Sequence, residues 1–208
     1  MEGFIAAWYA RNTARSMKDF TADARRVAAL LHPPAEVLEV APGPGYFSIE
    51  LAKLGDYRIT GLDISRSFVR IAGRNAAKAG VAVDFQQGNA SAMPFDDDRF
   101  DYVFCRAAFK NFSEPLQALR EMHRVLKPDG RAWIVDLRGD ASLAEINEEV
   151  GKMGLAPVSA WFTRMAFRFS LLKRAYTRAE FTEFLAQTRF RSVAIEQTAM
   201  GLDIFLEK

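Results

Sequence analysis

Two glycines and an aspartate hold the residue types and spacing most suited to chemistry. Gly43 and Gly45 follow the apolar run Glu36-Val-Leu-Glu-Val-Ala41 and precede a helical pattern that extends to about Lys53. Glycines at a strand-to-helix turn reach backbone angles closed to other residues and let a ligand approach the main chain. Asp63 ends the next apolar run, Tyr57–Asp63, 18 residues beyond Gly45. An acidic side chain at that distance is suited to accept hydrogen bonds from ribose hydroxyls. The combination points to a nucleoside-containing ligand. The plainer alternative is an ordinary strand-to-helix turn with incidental glycines and an Asp63 that caps the helix beginning near Ser65.

A dinucleotide is disfavoured. The G-x-G-x-x-G register falls on Gly43, Gly45 and Ser48, so the third glycine is missing. Pro42 and Pro44 also lack the amide donors that a diphosphate at a helix N-terminus requires. Cys105 is the one thiol, and a nucleophilic thiol needs an activating base, so a buried apolar role is the simpler reading. His123 falls within a helical pattern and His32 precedes Pro33-Pro34, and both read as structural.

The elements that must position these residues alternate. An N-terminal helix is expected from Phe4 to about Leu31, then a strand to Ala41, a helix to Lys53 and a strand over Tyr57–Asp63. A helix from about Ser67 to Ala79, ended by Gly80, and strands at Val81–Gln87 and Phe100–Cys105 follow. Pro115–Leu126 has helical apolar spacing, Pro128-Asp129-Gly130 reads as a turn and Arg131–Leu137 as a strand. Strands alternating with helices predict a doubly wound α/β fold with a largely parallel sheet. The last third leaves that rhythm. Ser142–Met153 suggests a helix, and Pro157–Tyr176, rich in aromatics and bases, an insertion packed over the main domain with no core of its own. Helix Arg178–Gln187 then leads into the pair Arg191–Glu196 and Leu202–Leu206.

Composition sets the outer limits. The 208 residues are 50% hydrophobic and 26% charged, with a formal net charge of +2. That balance offers no general attraction to nucleic acid. No run reaches the length of a transmembrane span, and Phe4–Ala10 is a poor signal peptide. A single cysteine excludes an intramolecular disulfide and makes a reducing cytoplasm the expected compartment. The scarcity of His and Cys leaves little for a zinc site. From Lys152 to Arg178 there are six bases and no acid (Lys152, Arg164, Arg168, Lys173, Arg174, Arg178). Such a stretch suits an anionic substrate, a membrane surface or single-stranded nucleic acid, or is simply a solvated helical face.

Five segments occur in order: Glu39-Val-Ala-Pro-Gly-Pro-Gly-Tyr46, Gly61-Leu-Asp-Ile-Ser65, Gly88-Asn-Ala-Ser-Ala-Met-Pro-Phe95, Phe100-Asp-Tyr-Val-Phe104 and Glu121-Met-His-Arg-Val-Leu-Lys-Pro-Asp-Gly130. This succession resembles the class I S-adenosylmethionine-dependent methyltransferases, in particular the small-molecule branch that includes quinone-biosynthesis enzymes. The resemblance covers roughly Ala35–Leu137 and, more weakly, Thr177–Lys208. It implies a single Rossmann-like domain over 1–208, with a seven-stranded, mostly parallel sheet whose last strand is antiparallel. Within it, 1–34 would be an N-terminal helical cap, 35–140 the cofactor-binding core, 153–177 a lid and 178–208 the terminal helix and strand pair.

By the same resemblance, S-adenosylmethionine is the cofactor. Glu39 and the backbone of Ala41, Gly43 and Gly45 would hold its methionine part, Asp63 its ribose and Ile64 one face of the adenine. Asn89 and the Ala90 amide would meet the adenine edge, and Cys105 and Arg106 would lie near the sulfonium. Ala41 stands where relatives usually have glycine, and Asn89 where many have aspartate. The implied reaction is direct displacement of the methyl group onto a small-molecule acceptor, with positioning and exclusion of water as the main catalytic devices. Tyr9, Arg106, Lys110 and Asn111 are candidates on the acceptor side, with Phe109, Phe112, Trp161 and Phe162 as apolar walls. The absence of Asn-Pro-Pro-Tyr, Asp-Pro-Pro-Tyr and Pro-Cys motifs disfavours exocyclic-amine and cytosine C5 methylation, and no carboxylate cluster suggests a metal-dependent catechol type. Three other classes stay open: a protein that binds the cofactor without turnover, a non-methylating enzyme such as a cyclase, and an NAD-dependent oxidoreductase.

Overall fold

The computed structural model describes residues 2–13, 17–154 and 156–208. Two helices come first, α1 (Gly3–Thr13) and α2 (Met17–Ala28), in place of the single helix expected from Phe4. Residues 14–16 of that expected helix lie outside the described ones. At the end of α1 the Thr13 hydroxyl donates back to the Tyr9 carbonyl at 2.8 Å, a local bond that competes with helical pairing.

The alternating part follows as β1 (Ala35–Val40), α3 (Tyr46–Ala52), β2 (Tyr57–Asp63), α4 (Arg66–Ala79), β3 (Asp84–Gln87), β4 (Phe100–Arg106), α5 (Pro115–Val125) and β5 (Leu126–Leu137). The Ser65 hydroxyl accepts from the Phe68 amide to start α4, and Gly80 closes it with φ +69°. The Val81 amide still bonds to the Ala76 carbonyl as part of that closure, so β3 begins at Asp84 rather than at Val81. Pro128–Gly130 is an irregularity within β5 rather than a turn before it. Pairing jumps from Phe100–Leu126 to Tyr102–Arg131, and Asp129 takes φ +63° inside the bulge.

Then come α6 (Leu143–Lys152), α7 (Pro157–Ala166), α8 (Arg178–Leu185), β6 (Ser192–Gln197) and β7 (Gly201–Glu207). The seven strands lie in the order β3-β2-β1-β4-β5-β7-β6. β1 to β5 are mutually parallel, and β7 runs antiparallel to both β5 and β6.

Strand residues alternate between two cores, as a sheet covered on both faces requires. Leu38, Val40, Val103, Cys105, Ile134 and Ile204 face α5 and α8 through Leu119, Met122 and Phe181. Val37, Ile59, Tyr102, Phe104 and Trp133 face α2 and α3 through Val27, Phe47 and Leu51. The 157–174 segment packs on its neighbours through a third apolar cluster, which it shares with them. Ala160 and Leu172 pack with Ile146 and Val150 of α6 and with Met200, between β6 and β7.

Candidate active site

Strand order reverses between β1 and β4, and ligands of open α/β sheets bind outside the carboxyl ends of the strands at that point. The β1–α3 loop lies there. Ala41, Gly43 and Gly45 adopt left-handed backbone with φ of +56°, +53° and +77°. The two glycines serve different needs. A Cβ on Gly45 would come within 2.6 Å of the Phe85 ring and 2.9 Å of the Ala72 methyl, whereas one on Gly43 would meet nothing within 4 Å. Gly45 permits close packing of loop, sheet and α4, while Gly43 borders open space. The Asn75 side-chain amide donates to the Pro44 carbonyl at 2.9 Å and holds the loop to α4.

Two carboxylates clamp this loop. Glu39, buried near the end of β1, accepts from the Ser48 amide at 3.1 Å and from its hydroxyl at 2.5 Å. Burial pushes its pKa up to about 7, against those hydrogen bonds. Asp63, at the end of β2, accepts from the Gly43 amide at 3.0 Å and from the Ser65 amide at 2.8 Å. Burial raises its pKa, opposed by the same two donors. The cap of α4 is the Ser65 hydroxyl, which leaves Asp63 as a brace between loop and helix rather than as its N-cap. Each Asp63 oxygen keeps a further lone pair.

Ile64, next in the chain, is 67% exposed, so it is not core. Asn89 lies beyond β3; its side-chain oxygen accepts from the Ser91 amide at 3.0 Å. Ala90 packs partly against the central core.

At the end of β4, Cys105 is fully buried, and burial and nearby carboxylates raise its pKa well above the ordinary thiol value. Such a thiol stays protonated and unreactive at neutral pH. Arg106 reaches across to α2, where its guanidinium meets Asp23 at 2.5 Å, Asp19 at 4.0 Å and the Phe20 ring at 5.6 Å. Burial holds the Asp23 carboxyl at about 6 against the pull of Arg106. Lys110 is also committed, its ammonium donating to Asp136 at 2.6 Å and to the Ala107 carbonyl at 2.7 Å.

Sequence reasoning missed Asp136 and Asp23. Asp136 leaves a local signal, an acid near the end of an otherwise apolar strand. Asp23 leaves none, because its partner lies 83 residues away.

Of the other acceptor-side candidates, Tyr9 is half-buried on α1 with its ring edge on Phe68, centroids 5.8 Å apart, and Asn111 is exposed. Phe109 is not a wall, being buried against Phe112, Tyr176 and Phe181. Trp161 and Phe162 are exposed and in contact with each other. The N-terminal helix is drawn over the loop by the Tyr46 hydroxyl, which donates to the Ala10 carbonyl at 3.0 Å. Among the described residues no three His, Cys, Asp or Glu group as metal ligands.

Taken together, the C-terminal edge carries Glu39, Asp63, Asp23 and Asp136 against Arg106 and Lys110 and is acidic on balance. An anionic diphosphate meets repulsion there, and a cation meets attraction.

Residues 38–134 match the family described as "Methyltransferase domain". The chain is 38% identical over 122 residues to a demethylmenaquinone methyltransferase of Deinococcus radiodurans, covering 57% of this chain and 51% of that protein. It is 30% identical over 162 residues to a demethylmenaquinone methyltransferase of Chlorobaculum tepidum, covering 75% and 65%. The chain thus spans about half to two thirds of the length of these curated relatives. The structure superposes on that of a SAM-dependent methyltransferase from Aquifex aeolicus with a TM-score of 0.68 at 20% identity, over 89% of each chain. By sequence over residues 38–134 and by fold over most of its length, the chain is similar to the S-adenosylmethionine-dependent methyltransferases.

Proposed function

We propose that this chain transfers the methyl group of S-adenosylmethionine to a small acceptor that is partly aromatic or apolar, of the quinol type suggested by the names of its relatives. The observation that carries the reading is the acidic edge beside an open glycine. Glu39, Asp63, Asp23 and Asp136 surround the carboxyl ends of β1, β2, β4 and β5, a setting suited to a sulfonium nucleoside and unsuited to a diphosphate.

When bound, the cofactor supplies an already activated methyl group. The protein's tasks are then to bind, to orient and to exclude water. Glu39 and the backbone of Ala41, Gly43 and Gly45 form the seat for the methionine part. Asp63 offers its remaining lone pairs to the ribose hydroxyls, and exposed Ile64 offers a flat apolar surface to the adenine. Asn89 and the Ala90 amide complete the adenine edge, and Cys105 and Arg106 back the reacting end. Pairing of Arg106 with Asp23 removes a free positive charge that would oppose a sulfonium. Lys110, held by Asp136, serves as a brace for the turn Phe109–Asn111 rather than as a proton acceptor. Tyr9 and Asn111 remain for the acceptor side.

In this reading residues 35–140 are the cofactor-binding core, 1–34 a helical cap and 153–177 a lid, all of one domain. The lone cysteine suits a reducing, cytoplasmic setting.

The test is calorimetric titration with S-adenosylmethionine, S-adenosylhomocysteine and NAD, followed by methyl transfer to reduced quinones and phenols. Binding of both sulfur nucleosides without NAD, followed by transfer, is the expected result. NAD binding alone would overturn the assignment. Nucleoside binding with no transfer to any acceptor would favour a non-transferring or non-methylating binder on the same fold.

A further inference from the structure

We propose that the outer face of the helical segment 157–174 docks on an anionic membrane surface. α7, a π turn (Phe167–Leu171) and a 3-10 turn (Leu172–Arg174) make one continuous helical rod, roughly 27 Å long at the α-helical rise. Its inner face is small. Ala160 and Leu172 are buried, with Phe167 partly so, against α6 and Met200. The π turn adds one residue to the helical turn, which brings Leu172 rather than Leu171 inward and leaves Lys173 and Arg174 on the outside with Arg168.

That outside face has an unusual composition for solvent. Val158 is 68% exposed, Trp161 54%, Phe162 62% and Phe169 48%. A contiguous face of large apolar side chains marks an interaction site more often than a free surface. The charges among them have one sign. Among the described residues, Arg168, Lys173 and Arg174 have no acidic partner. Arg168 and Lys173 lie 5.0 Å and 5.8 Å from the centroid of the Phe169 ring. Between Glu149 and Glu180 the chain has no acid, whereas outside that stretch it carries more acids than bases. The positive charge of a near-neutral protein is therefore concentrated here.

Aromatic and aliphatic side chains interleaved with unpaired bases on one face of a helix fit the boundary between anionic headgroups and acyl chains. No helix among the described residues is long and apolar enough to cross a membrane, so the segment would lie on the surface. Its end is fixed to the site edge. The Gly139 amide, two residues beyond β5, donates to the Tyr176 carbonyl at 3.1 Å, and a Cβ on Gly139 would come within 2.3 Å of the Ala175 carbonyl oxygen. Docking would thus bring the carboxyl edge of β5 toward the bilayer. The proposal stands independently of the methyl-transfer reading.

The experiment is co-sedimentation of the full chain with vesicles of equimolar phosphatidylglycerol and phosphatidylcholine, and with phosphatidylcholine alone, at low and at high salt. Binding to the anionic vesicles that weakens with salt is expected. The triple variant Arg168→Gln/Lys173→Gln/Arg174→Gln should bind them roughly a hundredfold more weakly, since each base near such a surface is worth about 1 kcal/mol. Trp161→Ser/Phe162→Ser should also lose binding. Unchanged melting temperature and circular dichroism in both variants would show that the fold is intact. No binding by the native chain, or binding that both variants retain, would overturn the proposal. So would a dimer in sedimentation velocity that Trp161→Ser/Phe162→Ser dissociates, which would assign the face to a second copy. Retention on a single-stranded oligonucleotide without vesicle binding would assign it to nucleic acid.

Discussion

Asp63 is fixed by the fold at the place proposed for the ribose. Its two oxygens are already used by the Gly43 and Ser65 amides, so the carboxylate is held in place before any hydroxyl arrives. Asp63→Ala is expected to weaken S-adenosylmethionine binding by about 1–3 kcal/mol, the range for hydrogen bonds to a charged group and for a donor left unpaired. Calorimetry on a variant with native circular dichroism checks it, and unchanged affinity would remove Asp63 from the ribose site. The position of Asp63 at the end of β2 was legible in the sequence because an acid closes an apolar run there; its bonds to the Gly43 and Ser65 amides were not. Arg106 was legible in position only. Nothing near it in sequence announces Asp19, Phe20 and Asp23, whose contact depends on how α2 lies across the sheet.

At the scale of elements, the β1–α3 loop combines three left-handed residues, of which one has a side chain. A Cβ in that region costs roughly 1–2 kcal/mol, partly offset by the smaller chain entropy that alanine loses on folding. Ala41→Gly is therefore expected to stabilise the protein by up to about 1 kcal/mol in urea unfolding. Gly45→Ala is expected to cost about 1–3 kcal/mol, since its Cβ would collide with Phe85 and Ala72. A less stable Ala41→Gly variant would mean that the loop is not strained at that position. The order of strands and helices was readable because apolar periodicity and Gly or Pro punctuation agree through Leu137. The bulge in β5 was not, since it is local backbone geometry within a continuous periodic pattern. The outward placement of Lys173 and Arg174 was also hidden, because the π turn after α7 changes the helical phase.

For the whole molecule, the buried carboxylates set a pH dependence of stability. Burial pushes the Glu39 carboxyl up to about 7 in the folded protein and Asp23 up to about 6, against ordinary values of 4.5 and 3.8. Between each pair of values the folded state holds more protons than the unfolded one, so stability falls as pH rises through that window. The loss from Asp23 is complete a little above pH 6, and that from Glu39 a little above pH 7. Unfolding at pH 5 and pH 8 should show a decline that Glu39→Gln reduces by on the order of 2 kcal/mol, because glutamine keeps an acceptor for Ser48 without a charge to bury. An equal decline in both proteins would mean that Glu39 does not titrate there.

The place of β7 in the sheet has a consequence for how the chain is made. β5 ends at Leu137 and the strand that covers its outer edge begins at Gly201, with 63 residues between them. During synthesis that edge and the apolar face awaiting Leu202, Ile204 and Leu206 stay open while α6, the 157–174 segment and α8 emerge. An unpaired central strand is a template for pairing with other chains. The nascent protein therefore passes through an interval in which it is most vulnerable to aggregation and most dependent on chaperones, an interval that closes only when its final strand arrives.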